Sequence, residues 1–330
     1  MNLLQKEEEL IKKILFEESL EILGDINFNK FVEISSKHLL IPVLYAKLKK
    51  SNRLKVLPAE LVNYFREIFK INRRKNIILI KELHYLSKIF NHNKIDHVFI
   101  KGAANIVSKV FFDIGERMVG DIDVLIDEEN KDFCENILER NGYKNIQYSF
   151  FENRHLTRKV NKKKMFSVEV HTKVINEPKK VNNNLNFLEN KLIIDNLKVP
   201  NIKNQILNLF YSDQLNDNHF YFLSYHYRSI YDLNCLLTKF DGTNFNFDRY
   251  INNFLMITKK LNIKSIIHNN NNYSFNEFRF DLGLKYRLYR KIEKSFLRLF
   301  FKFLEIPKQI MELITNSEYR LYIKKKLFNF

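Results

Sequence analysis

After Leu57-Pro58 the chain runs ELVNYFREIFKINRRKNIILIKELHYLSKIF to Phe90, with hydrophobic residues every three or four positions and no glycine to interrupt them. That period matches one face of an α-helix, and Pro58 suits a first helical turn, where its missing N–H costs little. Similar spacing appears in LLIPVLYAKLKK (39–50), FYFLSYHYRSIYDLNCLL (220–237) and FDRYINNFLMITKKL (247–261). Seven glycines and five prolines in 330 residues leave few places to break such runs. The chain therefore reads as mostly helical with a small sheet, and its 30 phenylalanines and 16 tyrosines supply an aromatic core.

The pattern changes at Asn91. NHNKID is polar, HVFIKG (97–102) is strand-like and ends in glycine, and AANIVSKVFF returns to helical character. A turn-like DIGERMVG leads into a second strand, DIDVLI (121–126). A helix is expected from about Glu128 to Arg140, stopped by Asn141-Gly142, residue types that tolerate left-handed geometry. Further strands are expected at about 145–151 and 154–161, joined near Glu152-Asn153, and at 165–174. This predicts an α+β protein: an N-terminal helical region over 1–92, a small mixed sheet with helices over 93–177, and a C-terminal helical domain over 178–330. Residues 178–202 read as an Asn- and Lys-rich connector, and the Asn run 269–272 as a loop. The tail SFLRLFFKFLEIPKQIMELI (295–314) reads as a basic, aromatic helix broken at Pro307, packed on the C-terminal domain or, alternatively, lying on a membrane surface.

Alternate side chains of a strand share a face, so Asp121 and Asp123 point the same way, about 6–7 Å apart. Two carboxylates so placed chelate Mg²⁺, which prefers hard oxygen ligands. A bare Asp-x-Asp at a solvated strand end has no such meaning, but Val119 and the Val-Leu-Ile run argue for a buried sheet. There an unpaired couple would repel and lose hydration. Lys101-Gly102-Ala103 lies at a strand-to-helix junction, where glycine admits a phosphate to the backbone and Lys101 favours an anion. The same residues also make an ordinary tight turn. Glu169, in SVEVHTKV, offers a third carboxylate that completes a metal cage or takes a proton from an attacking hydroxyl. His171 shares its face, as a packing residue or a cleft residue. Arg117 either clamps phosphate oxygens or pairs with Glu116, Asp113 or the strand carboxylates.

Together these residues form a pattern. FIKGAANIVSKVFFDIGERMVGDIDVLID resembles the nucleotidyltransferase superfamily with the DNA polymerase β-like fold, above all a bacterial branch sharing LKG…Y…R…GDIDLLV. PVLYAKL and LPAELVNYFREIFKINRRKN resemble that branch's N-terminal helices, and SVEVHTKV its third-acid strand. SIYDLNCLL with FNFDRYINNFLMITKKLNI resembles its C-terminal helices, with Asp232 where an aspartate is usual. The likeness spans roughly residues 35–265 and departs at three points. Gly102-Ala103 stands for the general Gly-Gly or Gly-Ser, the interval from Gly102 to Asp121 is longer than in the general signature, and Thr172 follows His171 where Trp is usual.

The resemblance implies in-line transfer of a nucleotidyl group from a nucleoside triphosphate such as ATP to an acceptor hydroxyl, with pyrophosphate leaving. Asp121 and Asp123 would hold two Mg²⁺ ions and Glu169 one of them. Lys101, Gly102 and Ala103 would cradle the β- and γ-phosphates with help from Arg117. His171 and Asp232 are candidate cleft residues, as are His219 and His226. The acceptor is a small molecule or sugar, or tRNA. The alternative is a catalytically degenerate nucleotide-binding or interaction protein of the same fold.

The formal charge of +17, from 55 Lys and Arg against 38 Asp and Glu, fits attraction to nucleic acid, nucleotides or an anionic membrane. It fits equally a drift in composition, since the basic residues are spread along the chain. Cys134 and Cys235 show no metal-site spacing, as expected in a reducing cytoplasm. The N-terminal MNLLQKEEELIKKILFEESL reads as an amphipathic helix rather than a signal peptide. No apolar stretch approaches the ~20 residues of a transmembrane helix, so a cytoplasmic location is expected.

Overall fold

Four helices come first, where the 3.6-residue apolar period is sustained: α1 (Lys6–Phe16), α2 (Phe28–Lys37), α3 (Ile41–Lys50) and α4 (Ala59–His92). The computed structural model describes residues 6–17, 25–146, 156–176, 181, 183, 185–242, 246–263 and 275–328. The expected strand junction at Glu152-Asn153 and the Asn run 269–272 lie outside the described residues. Asn27 caps α2 by accepting from the Lys30 N–H at 3.1 Å, a contact worth about 1 kcal/mol. Pro58 sits at the cap position of α4, one residue before its first turn. With 34 residues α4 spans about 50 Å. Its inner stripe buries Phe65, Leu79, Leu83, Leu86 and Phe90 completely, each stabilising by roughly 1.5–3 kcal/mol.

The mixed sheet follows. Its strands are β1 (His97–Phe99), β2 (Asp121–Ile126), β3 (Lys144–Asn145), β4 (Lys159–Val160) and β5 (Ser167–His171), in spatial order β1-β2-β5-β4-β3. β1 runs antiparallel to β2, β2 parallel to β5, and β4 antiparallel to both β5 and β3. β2, hydrogen-bonded on both sides, buries Ile122, Val124 and Ile126, which explains its continuous apolar run. α5 (Lys101–Val107) crosses from β1 towards β2, starting before Gly102 rather than after it. α6 (Lys131–Arg140) ends at Asn141-Gly142, where Gly142 adopts φ +84°.

The expected connector at 178–202 contains a hairpin, β6 (Lys191–Ile194) and β7 (Leu197–Pro200), with β7 against β1. Its two-residue loop puts Asp195 and Asn196 at φ +49° and +62°, the geometry a type I′ turn requires. The Asp-Asn pair was the available signal, but KLII and LKVP are too short and mixed to display an alternation.

The helices resume with α7 (Ile202–Tyr211), which passes into a five-residue π-helix, Ser212–Asn216. After it come α8 (His219–Phe222), α9 (Tyr227–Leu237), α10 (Arg249–Lys260), α11 (Phe275–Lys285), α12 (Arg287–Thr315) and α13 (Ser317–Phe328). The helix expected over 220–237 is interrupted at Leu223, φ +44°. There Tyr225 and Tyr227 pack on His38, whose Nδ1 accepts from the Tyr227 N–H at 3.3 Å. The tertiary contact outweighs local helical preference. α12, by contrast, runs straight through Pro307. A buried helix would break there, but on this exposed one the carbonyl freed at Phe303 faces solvent, and the remaining cost of about 3 kcal/mol is spread over 29 residues. One hydrophobic cluster runs from Leu10 to Phe280, and α12 contributes no buried residue to it. Among the described residues no helix is long and apolar enough to cross a membrane.

Candidate active site

The parallel register of β2 and β5 sets Asp123 beside Glu169, Asp121 beside Ser167, and Leu125 beside His171. Two carboxylates thus become nearest neighbours across strands, with Asp121 on the diagonal. Ligand atoms of Asp123, Glu169 and His171 all lie within 4.8 Å of one another. One guanidinium nitrogen, Nη2 of Arg158, touches both Asp121 Oδ2 at 2.9 Å and Glu169 Oε1 at 2.5 Å, so Asp121 converges on the same place.

Such a cluster needs positive charge, and the chain supplies some of it. Lys101 Nζ lies 2.5 Å and His171 Nε2 2.7 Å from Asp123 Oδ1. Lys101 has φ +55°, a left-handed backbone that costs a non-glycine residue about 1 kcal/mol and that its contact with Asp123 offsets. Burial works to raise the Asp123 carboxyl, but the Lys101 ammonium and the His171 hydrogen bond overcome it and hold the group well below the usual carboxylate range. Asp121 moves the other way: burial, then repulsion from Asp123 and Glu169, push it up despite Arg158. Neighbours two residues apart thus have opposite proton affinities.

The opposite wall comes from helices, with α4 as the brace. Asn72 Nδ2 donates to the carbonyls of Gly115 (2.7 Å) and Arg117 (3.1 Å), and Asn76 Nδ2 to those of Ile114 (2.6 Å) and Arg117 (2.7 Å). Three turns on, Glu82 accepts from the Met165 and Phe166 N–H groups at the start of β5. One rigid helix therefore positions both the loop entering β2 and the strand beside it. Arg117 Nε then reaches Asp232 Oδ2 on α9 at 2.7 Å, not Glu116, Asp113 or the strand carboxylates. Burial raises the Asp232 carboxyl in spite of Arg117 and Arg228. Tyr231 O–H donates to Glu116 Oε2 at 2.7 Å, a second clasp from α9. Arg228, one turn before Asp232, makes no hydrogen bond or ion pair among the described residues. The Arg117 charge, then burial, lower its pKa to about 10.

Between the walls lies a cleft of about 430 Å³, within the usual range for small-molecule sites. Lys101, Gly102, Asp121 and Asp123 line one side, Asp213, Arg228 and Asp232 the other, with Arg117 between them. The ion pairs on Asp121 and Asp123 thus coexist with an open approach. Ala103, Glu169 and His171 do not line this cleft; Glu169 sits behind Asp123 in the sheet, and His171 acts on the cleft through Asp123. A Cβ added at Gly102 would lie 3.2 Å from Val119 Cγ2 and 3.7 Å from Arg117 Nη2, so the glycine lets Val119 and Arg117 close on α5. With seven residues, α5 is too short for its first N–H groups to make an anion site unaided. His219 and His226 stand behind the helical wall: His219 Nδ1 is 3.1 Å from Asp213 Oδ2, and His226 lies between His219, tilted to it, and His38, edge-on to it.

The sequence pattern did not reveal Arg158, Arg228, Asn72, Asn76 or Glu82. A lone arginine before a two-residue strand gives no warning. The polar residues recurring on the inner stripe of α4 were the one usable signal. The donor set fits a divalent cation: three carboxylates converge in a largely buried sheet, hard oxygen ligands of the kind Mg²⁺ takes, with one imidazole behind them.

A family model described as an uncharacterised nucleotidyltransferase matches residues 24–269, well over half of the chain, and the chain belongs to that family. A comparison with curated proteins finds no significant match.

Proposed function

We propose that the chain, as a member of this nucleotidyltransferase family, moves a nucleotidyl group from a nucleoside triphosphate such as ATP to an acceptor hydroxyl. Asp121, Asp123 and Glu169 would hold two Mg²⁺ ions. The observation that carries the reading is the clustering of Asp123 with Glu169, and of Asp121 with Glu169 about Arg158, beside an open cleft that Asp121, Asp123, Arg117 and Arg228 line. Bound ions would polarise the α-phosphate and ease ionisation of the attacking hydroxyl. The residues do the rest. Asp123, held acidic by Lys101 and His171, remains a carboxylate throughout. Lys101 leaves it for the triphosphate, where Gly102, with Ala103 behind it, keeps the backbone low. Arg117 and Arg228 clamp the β- and γ-phosphates, whose charge grows as pyrophosphate leaves. The acceptor oxygen bonds to the α-phosphorus, the bond to the bridging oxygen breaks, and Glu169 takes the hydroxyl proton. The acceptor is a small molecule or sugar, or tRNA, met in the cytoplasm.

Incubation with each of four labelled nucleoside triphosphates, Mg²⁺ and a cell extract tests this, the label being traced into small molecules or RNA. Full transfer by an Asp121→Asn/Asp123→Asn double variant would refute the metal assignment. One observation favours the second reading, a nucleotide-binding protein without transfer: each of the three carboxylates already meets Lys101, His171 or Arg158. Mg²⁺-dependent nucleotide binding with no pyrophosphate released would select it.

A further inference from the structure

A large surface unused by that reaction is α12. Its 29 residues bury nothing. Ile292, Phe296, Leu299, Phe303, Met311 and Ile314 are between 62% and 71% exposed, in an element that a globular protein would normally pack through such a stripe. At 100° per residue these side chains share one broad face, and Lys291, Lys294, Arg298 and Lys302 fall opposite. The helix touches the body elsewhere: the Phe301 ring meets Tyr221 and Phe222 at 5.3 and 5.7 Å, and Arg290 donates to the Phe222 and Leu223 carbonyls. The apolar stripe therefore points away from the core. α13 adds Arg320, Lys324, Lys325 and Lys326, and residues 287–328 carry eleven Lys and Arg against four Glu.

We propose that α12, with the basic α13, is an interfacial helix that docks this chain on an anionic lipid surface. A wide aromatic and aliphatic face with a cationic face behind it is the arrangement that lies in a headgroup layer, apolar side down. Charge selects the partner. A second copy would bring an equal excess of positive charge against this one, and phenylalanines with Pro307 midway make a poor two-stranded seam. Acidic headgroups complement that charge. The inference stands apart from the transferase reading, since it uses no cleft residue.

Co-sedimentation of the full chain with vesicles tests it, using phosphatidylcholine alone and phosphatidylcholine with phosphatidylglycerol. Binding to the anionic vesicles is expected to be at least roughly tenfold stronger and to weaken with added salt. A Phe296→Ser/Leu299→Ser/Phe303→Ser variant should lose that binding while circular dichroism and nucleotide binding stay unchanged, because the three side chains are solvent-exposed. A Lys324→Glu/Lys326→Glu variant should lose the anionic preference. Equal binding to both vesicle types, or no binding, overturns the proposal. A dimer abolished by the triple substitution, in a chain that ignores vesicles, overturns it in favour of a second copy.

Discussion

The two walls of the cleft handle charge in opposite ways. On the sheet side Asp121, Asp123 and Glu169 meet Arg158, Lys101 and His171 within hydrogen-bonding distance. On the helical side Arg117 pairs with Asp232, Arg228 feels Asp232, Asp217 and Asp213 without a hydrogen bond among the described residues, and Asp213 Oδ1 has no hydrogen-bond partner there. The sheet wall is an acidic cluster damped by Lys101, His171 and Arg158. The helical wall keeps the half-buried Arg228 guanidinium beside the like charge of Arg117, which, with burial, lowers its pKa to about 10. One side thus concentrates carboxylates, while the other mixes Arg117 and Arg228 with Asp213 and Asp232.

The largest test of that contrast is Asp123→Asn, which keeps shape and hydrogen bonding but removes the most acidic carboxylate. Pyrophosphate release should fall by about 10²–10³-fold with the circular dichroism spectrum intact. A smaller fall would mean that the sheet wall is structural.

Acid should loosen the walls in sequence. His38 and His226 have folded pKa values of about 3 and about 4 against 6.5, because burial and, next, a neighbouring histidine disfavour their charged forms. Lys37 and Arg228 add to this, while Asp213 opposes it at His226. A depressed histidine pKa means that the unfolded chain binds more protons, so stability is full above about pH 6.5 and is lost as pH falls towards 4. Asp123 is depressed too, but as an acid its contribution persists until pH drops below the usual carboxylate range. Thermal melts should hold steady above pH 7 and decline between 6.5 and 4, by on the order of 5 kcal/mol. His38→Gln should flatten that decline, and an unchanged slope would disconnect the histidine cluster from it.

Arg228→Ala should raise KM for the nucleotide about tenfold, some 1.4 kcal/mol, with little change in kcat. Stability should change little, since the relief of Arg117 is offset by the lost attraction to Asp232, Asp217 and Asp213. A fall in kcat at constant KM would move Arg228 from binding to the reaction itself. The mildest change, Arg158→Gln, removes the sheet wall's own cation. Mg²⁺ titrated calorimetrically should bind a few-fold more tightly, because a competitor is gone. The stability change should be small, because the half-exposed Arg158 end is screened by solvent and its loss leaves Glu169 and Asp121 free to take up a proton. Weaker Mg²⁺ binding would show that Arg158 organises the carboxylates instead of standing in for a metal.

Much of the sheet wall was legible in the residues themselves. Alternation put Asp121 and Asp123 on one face of β2, and Glu169 with His171 on one face of a later strand, because a strand's period of two is a property of its own backbone. The helical runs were legible for the same reason, and the motif segment led to the family that the matched region shows. The helical wall was not legible. Arg117 and Asp232 lie 115 residues apart, and Asn72 and Gly115 lie 43 apart; no local period relates them.

The sequence by itself determined which segments coil, which extend, and which acids share a strand face, since neighbours along the chain dictate those geometries. Only the tertiary structure decided that Lys101 and Arg158 answer the acids, that His38 interrupts the helix at Leu223, and that α12 runs through Pro307 with its apolar stripe uncovered. Each of these depends on which distant surface arrives, and burial, which no single segment specifies, sets the strength of every charge involved.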